Sequence, residues 1–150
     1  MSAEFHLHER LAADTLALDR WPLCEVLLAR DATYPWLILV PRRVGLRDFD
    51  DLAPEDLDTA SREIVRASRA LKAVFRPEKL NVAALGNQVP QLHVHVIARF
   101  TDDPAWPGPI WDVAPPRDYE AIALEARFAE LRKAFSHDAA GHHSAGPPTG

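Results

Sequence analysis

Cysteine is nearly missing from this chain of 150 residues: Cys24 stands alone. One thiol cannot build a disulfide framework or a cysteine-based zinc site. Its neighbours, Leu23-Cys24-Glu25-Val26-Leu27-Leu28, form an apolar run in which a free cysteine acts as a small packing residue. Long hydrophobic runs are absent too. No stretch approaches the roughly 20 apolar residues that cross a bilayer, and residues 1–20 lack the apolar segment of a signal peptide. These absences predict a cytoplasmic protein with no membrane partner. Positive charge is in deficit, with 17 Lys and Arg against 22 Asp and Glu for a net charge of −5. A dedicated nucleic-acid binder needs a basic surface for phosphates, so that class is disfavoured. A polyanionic small molecule would have to be met by local cations or a bound metal.

What is present organises into one domain. With 47% hydrophobic residues in 150, the chain can bury a substantial core. Cys24–Ala29 and Trp36–Val40 read as strands around a turn at 30–35, with Pro41 ending the second. Leu57, Ala60, Ile64, Ala67, Leu71 and Val74 repeat at three- and four-residue steps, the stripe of an amphipathic helix. Pro54, Glu55 and Asp56 suit its N-terminal turn, and Pro77 stops it. Leu80–Leu85 and Leu92–Arg99 follow as two antiparallel strands. Residues 101–118 are proline-rich and carry Trp106 and Trp111, an irregular covering segment. Leu124, Phe128, Leu131 and Phe135 mark a C-terminal helix. The expected fold is α+β: an antiparallel sheet with one main packed helix and a C-terminal helix. The domain is expected to span 1–135, with a disordered tail over 136–150, where Gly, Pro, Ser, His and Ala dominate.

The chemistry concentrates in Gln91-Leu92-His93-Val94-His95-Val96-Ile97. Side chains alternate across a strand, so Gln91, His93 and His95 share one face while Leu92, Val94 and Val96 share the other. Packing gives no reason to align two imidazoles and an amide. Leu85-Gly86-Asn87-Gln88-Val89-Pro90 precedes them, a turn whose backbone N–H groups at Gly86, Asn87, Gln88 and Val89 can cradle a phosphate. Arg99 follows on the histidine face. A His-x-His strand is also a good metal-ligand pair, and His6 and His8 form a second one, but no Glu appears after Arg99 until Glu120. The site is therefore read as metal-free, and His6 and His8 as surface residues.

These residues resemble the histidine triad (HIT) superfamily of nucleotide hydrolases and transferases, whose pattern is His-φ-His-φ-His-φ-φ behind a Gly-containing loop, φ being apolar. Gln91 departs from it at the first position. Gln-φ-His-φ-His-φ-φ together with Trp106-Pro107-Gly108-Pro109-Ile110-Trp111 resembles a bacterial branch of that superfamily. The resemblance covers about residues 10–115. It implies a HIT-like fold, a homodimer, and a nucleotide substrate cleaved at the α-phosphate. His93 is then the nucleophile, His95 a donor to phosphate oxygen, and Gln91 a partner of the leaving group. Trp36, Trp106 and Arg99 are candidate pocket residues, and Arg42 and Arg43 candidate partners for distal phosphates. No cofactor is required, although Mg²⁺ can enter on the substrate phosphates. A nucleotidyltransferase and a binding protein with little turnover are the rival readings.

Overall fold

A five-stranded antiparallel sheet places the histidine strand next to its middle strand, with the strand that precedes it in sequence at the sheet edge. A computed structural model describes residues 4–141. The strands are β1 (Thr15–Arg20), β2 (Cys24–Ala29), β3 (Trp36–Pro41), β4 (Lys79–Ala83) and β5 (Val94–Arg99). The helices are α1 (Glu9–Asp14), α2 (Pro54–Phe75) and α3 (Ala121–Gly141). The α+β class and the antiparallel sheet are as the sequence pattern predicts. No helix among the described residues is long and apolar enough to cross a membrane.

Period-two alternation divides the central strands between two faces. Val26, Leu28, Leu37, Leu39, Val94, Val96 and Ala98 join the large core with Ala60, Ala67 and Leu71 of α2 and Leu131 and Phe135 of α3. On the opposite face, Leu27, Ala29, Ile38 and Val40 pack with Leu11 of α1 and Val89. Ile97 packs there with Tyr34 and Ile110. Both faces are covered, the first by helices and the second by α1, the loop before β5 and the irregular segment after it. That second cover is incomplete. The histidines stand where it opens.

Three local readings change. The strand β1 and helix α1 were not anticipated: a register shift between Ala17 and Asp19 breaks the alternation that would have revealed β1. Leu57 is 39% exposed because burial along α2 begins only at Ala60, beyond the first turn. In its place Glu63 is buried, accepting the backbone N–H groups of Leu23 (3.1 Å) and Cys24 (2.8 Å). The helix ends as expected before Pro77, with Arg76 left-handed at φ 51°. At the other end of the chain, α3 continues through Gly141, past the boundary expected at 135; residues 142–150 of the expected tail lie outside the described residues.

Candidate active site

A cavity of about 570 Å³ opens on the face of the sheet away from α2 and α3. His95 reaches it from β5 and His93 from the position just before that strand, Trp36 and Ile38 from β3, Arg10, Leu11 and Asp14 from α1. The loop Gly86-Asn87-Gln88-Val89 lines it, as do Arg30, Asp31, Ile110, Trp111 and Asp112. Each histidine is only 7% exposed, so its ring is held in a largely desolvated wall.

Hydrogen bonds fix which nitrogen of each ring is bare. His93 Nδ1 lies 2.7 Å from the backbone carbonyl of Gln91. A carbonyl only accepts, so Nδ1 carries the proton and Nε2 keeps its lone pair. His95 has the reverse arrangement: Trp36 Nε1–H donates to His95 Nδ1 at 3.0 Å. An indole N–H only donates, which puts the proton of neutral His95 on Nε2. Burial, with a smaller contribution from the neighbouring His93, pushes the His95 pKa down to about 4, so it is a neutral donor near pH 7. The two rings meet edge-on with centroids 5.0 Å apart, and Trp111 packs against His95 at 4.8 Å. One imidazole therefore has a free lone pair and the other a free N–H.

The preceding loop complements them. Gly86 adopts φ +71°, the left-handed region open to glycine. None of the backbone N–H groups of Gly86, Asn87, Gln88 and Val89 is hydrogen-bonded to another described residue. Four free donors beside two histidines make an anion-receptive arc.

Comparison with known proteins agrees with this arrangement. The model of the HIT domain matches residues 11–102. The chain belongs to the HIT family. This HIT chain is similar to a histidine triad protein from Bradyrhizobium japonicum, at 46% identity over 89% of this chain and 99% of that one, with a TM-score of 0.87. A histidine triad protein from Marinobacter aquaeolei VT8 shares 45% identity over 90% and 98%, TM-score 0.87. One from Sinorhizobium meliloti 1021 shares 38% over 87% and 96%, TM-score 0.84. No curated protein sequence matches.

Not every residue singled out in the HIT sequence reaches the cavity. His93, His95, Gly86, Asn87, Gln88, Val89 and Trp36 line it together. Gln91 does not: its amide oxygen accepts from His8 N at 2.8 Å and its nitrogen donates to the His6 carbonyl at 2.9 Å. The expected bond to a leaving group is replaced by one to the N-terminal segment. Arg99 and Trp106 are corrections as well. Arg99 is 2% exposed and pairs bidentately with Asp103, at 2.8 and 3.0 Å, while donating to Asn81 Oδ1 at 2.7 Å; the Trp106 ring lies 6.0 Å from its guanidinium. That guanidinium pins the turn after β5 instead of meeting a ligand. Arg43 pairs with Asp56, and Arg42 donates to the carbonyls of Trp21 and Pro22. The cavity's cations are Arg10 and Arg30, which no local pattern flagged because their roles depend on α1 and the end of β2 meeting in space. Trp111, conspicuous in sequence without an assigned role, forms part of the wall beyond the span matched by the HIT model. His8, read as a surface residue, accepts from Arg10 N at 3.1 Å and caps α1.

Proposed function

We propose that this HIT protein binds nucleotides and cleaves dinucleoside polyphosphate-like substrates at the α-phosphate through a nucleotidyl-histidine on His93. The observation that carries this reading is the His93 Nδ1 bond to the Gln91 carbonyl, which leaves Nε2 unprotonated beside the cavity. Nε2 attacks the α-phosphorus as the bond to the polyphosphate oxygen breaks, and that electron pair departs with the leaving group. His95 Nε2–H and the 86–89 backbone donors take the charge developing on the non-bridging oxygens. An acceptor oxygen then attacks phosphorus, the N–P bond breaks, and its electron pair returns to Nε2; a water acceptor gives up its proton to solvent in the same step. No group of three or more His, Cys, Asp or Glu side chains is arranged for a metal among the described residues. In this reading Mg²⁺ enters with the substrate phosphates.

Brief incubation with an α-labelled dinucleoside polyphosphate, followed by quenching, tests the covalent step. Acid-labile label is expected on a peptide spanning residues 91–99. His93→Asn should abolish it and His95→Asn should slow its formation; label that persists in His93→Asn sinks the proposal. The carboxamide at position 91 cannot hand a proton to a leaving group, unlike an imidazolium. Diadenosine tetraphosphate, whose leaving group is a stable nucleoside polyphosphate, is therefore the better substrate, and an adenosine phosphoramidate, which must expel an amine, the poorer. Comparable kcat/KM values for the two would contradict that preference. Product analysis with water, inorganic phosphate or a sugar phosphate separates hydrolase from transferase. The missing first histidine also favours a second reading, binding with little turnover, which AMP binding without product release would support. A homodimer completes the proposal, with β4 as an edge strand carrying Val82 at 50% exposure.

A further inference from the structure

Gln91 stands at a position of the strand motif that is expected to serve chemistry, yet its carboxamide is fully engaged elsewhere. His8 N–H donates to its Oε1 at 2.8 Å, and its Nε2 donates to His6 O at 2.9 Å. A carbonyl at one residue and an N–H two residues later are the pair that one edge of an extended chain presents to a neighbouring strand. A carboxamide offers an acceptor and a donor side by side and so imitates a backbone neighbour. Imidazole, with its two nitrogens diverging across a ring, cannot bind both groups at once. The clipped segment leads directly into α1. His8 Nδ1 accepts from Arg10 N at 3.1 Å, and Arg10, Leu11 and Asp14 line the cavity. We propose that Gln91 is a positioning residue: by clipping the His6–His8 backbone to the histidine strand, it holds α1 and its Arg10 side chain as the wall of the ligand cavity. Phe5 and Leu7 lean on the same apolar cluster as Leu11, so the segment stays attached when the clip is lost.

The role rests on the nucleotide-binding reading only for its ligand readout, which allows the two to fail separately. Gln91→Ala removes both bonds, and backbone hydrogen exchange over residues 4–14 should accelerate roughly tenfold, the scale of a lost pair of modest hydrogen bonds. Affinity for AMP should fall by about the same factor while the melting transition moves little. Gln91→Glu supplies a rescue that packing alone does not predict. Its protonated carboxyl donates to His6 O and accepts from His8 N–H, as the amide does; its ionised form sets a charged oxygen against the His6 carbonyl. Relative to the wild-type profile measured alongside, AMP affinity of Gln91→Glu should approach wild type at about pH 4, where a carboxyl of ordinary pKa about 4.3 is largely protonated, and fall to a low plateau by about pH 6. Unchanged exchange in Gln91→Ala, or accelerated exchange with AMP affinity intact, overturns the proposal. So does a Gln91→Glu profile parallel to wild type. Should the wild-type protein bind no AMP, the functional reading fails, and unchanged exchange over residues 4–14 remains the result that overturns the clip.

Discussion

Two groups outside the imidazole rings decide what the histidines can do: one is a backbone carbonyl, the other an indole. The Gln91 backbone carbonyl accepts from His93 and so keeps its proton on the inner nitrogen, while the Trp36 indole donates to the inner nitrogen of His95 and keeps that one unprotonated. Trp36 faces the cavity because it opens β3 opposite Ile97, diagonal to His95, and its ring also meets Trp111 edge-on at 5.7 Å. Trp36→Phe keeps the apolar face and deletes the N–H. His95 should then populate both tautomers, visible as a shift of its ring ¹⁵N resonances. The corresponding loss in kcat/KM should be roughly three- to tenfold, the value of one modest hydrogen bond. Unmoved resonances would mean that the indole does not set the tautomer. At this scale the sequence was most legible. The alternation of positions 91–97 told which residues share a face, and it could not tell how the amide at the head of that face would be used.

Among the elements, the segment after β5 shows how an irregular stretch is made rigid without regular hydrogen bonding. Asp103 accepts from Arg99 and from the backbone N–H groups of Phe100, Ala105 and Trp106. The Arg99 guanidinium foremost, and these backbone donors after it, hold the carboxyl pKa down at about 2. Removing the charge from one side of this buried pair strands the other. Asp103→Asn should therefore destabilise the fold by about 3 kcal/mol, measured by urea titration, and loosen the wall that Ile110 and Trp111 supply. An unaltered urea midpoint would show that the pair carries no such weight. Sequence reasoning identified this stretch as ordered and proline-rich, and also identified the β2–β3 hairpin and α2, since those depend on local periodicity and turn chemistry. It missed β1 and α1, one obscured by a bulge and the other only six residues long. Arg99 was misjudged because a cation on the site face of a strand looks the same in sequence whether it meets a phosphate or an aspartate four residues on.

For the whole molecule, the buried groups link folding to pH in two separate windows. His95 has its folded pKa lowered to about 4 from an ordinary value near 6.5, chiefly by burial. Between those values the unfolded chain takes up a proton that the native ring refuses. Stability is thus complete above about pH 6.5 and falls as the pH drops towards 4, by on the order of 3 kcal/mol. Asp103 adds a second loss lower down, as the pH falls from its ordinary value of 3.8 towards 2. Urea unfolding at pH 7, 5.5 and 4.5 should show the first slope in the wild type and a flatter one in His95→Asn. Parallel curves for the two proteins would remove His95 as its source.

The way both rings are tethered by their inner nitrogens has one more consequence. In the proposed reaction each outer nitrogen already holds the proton count it needs, so no internal proton relay need precede bond making. A site wired in this fashion is preset: its tautomers are held by an indole and a peptide carbonyl, two groups that do not titrate anywhere in the physiological range.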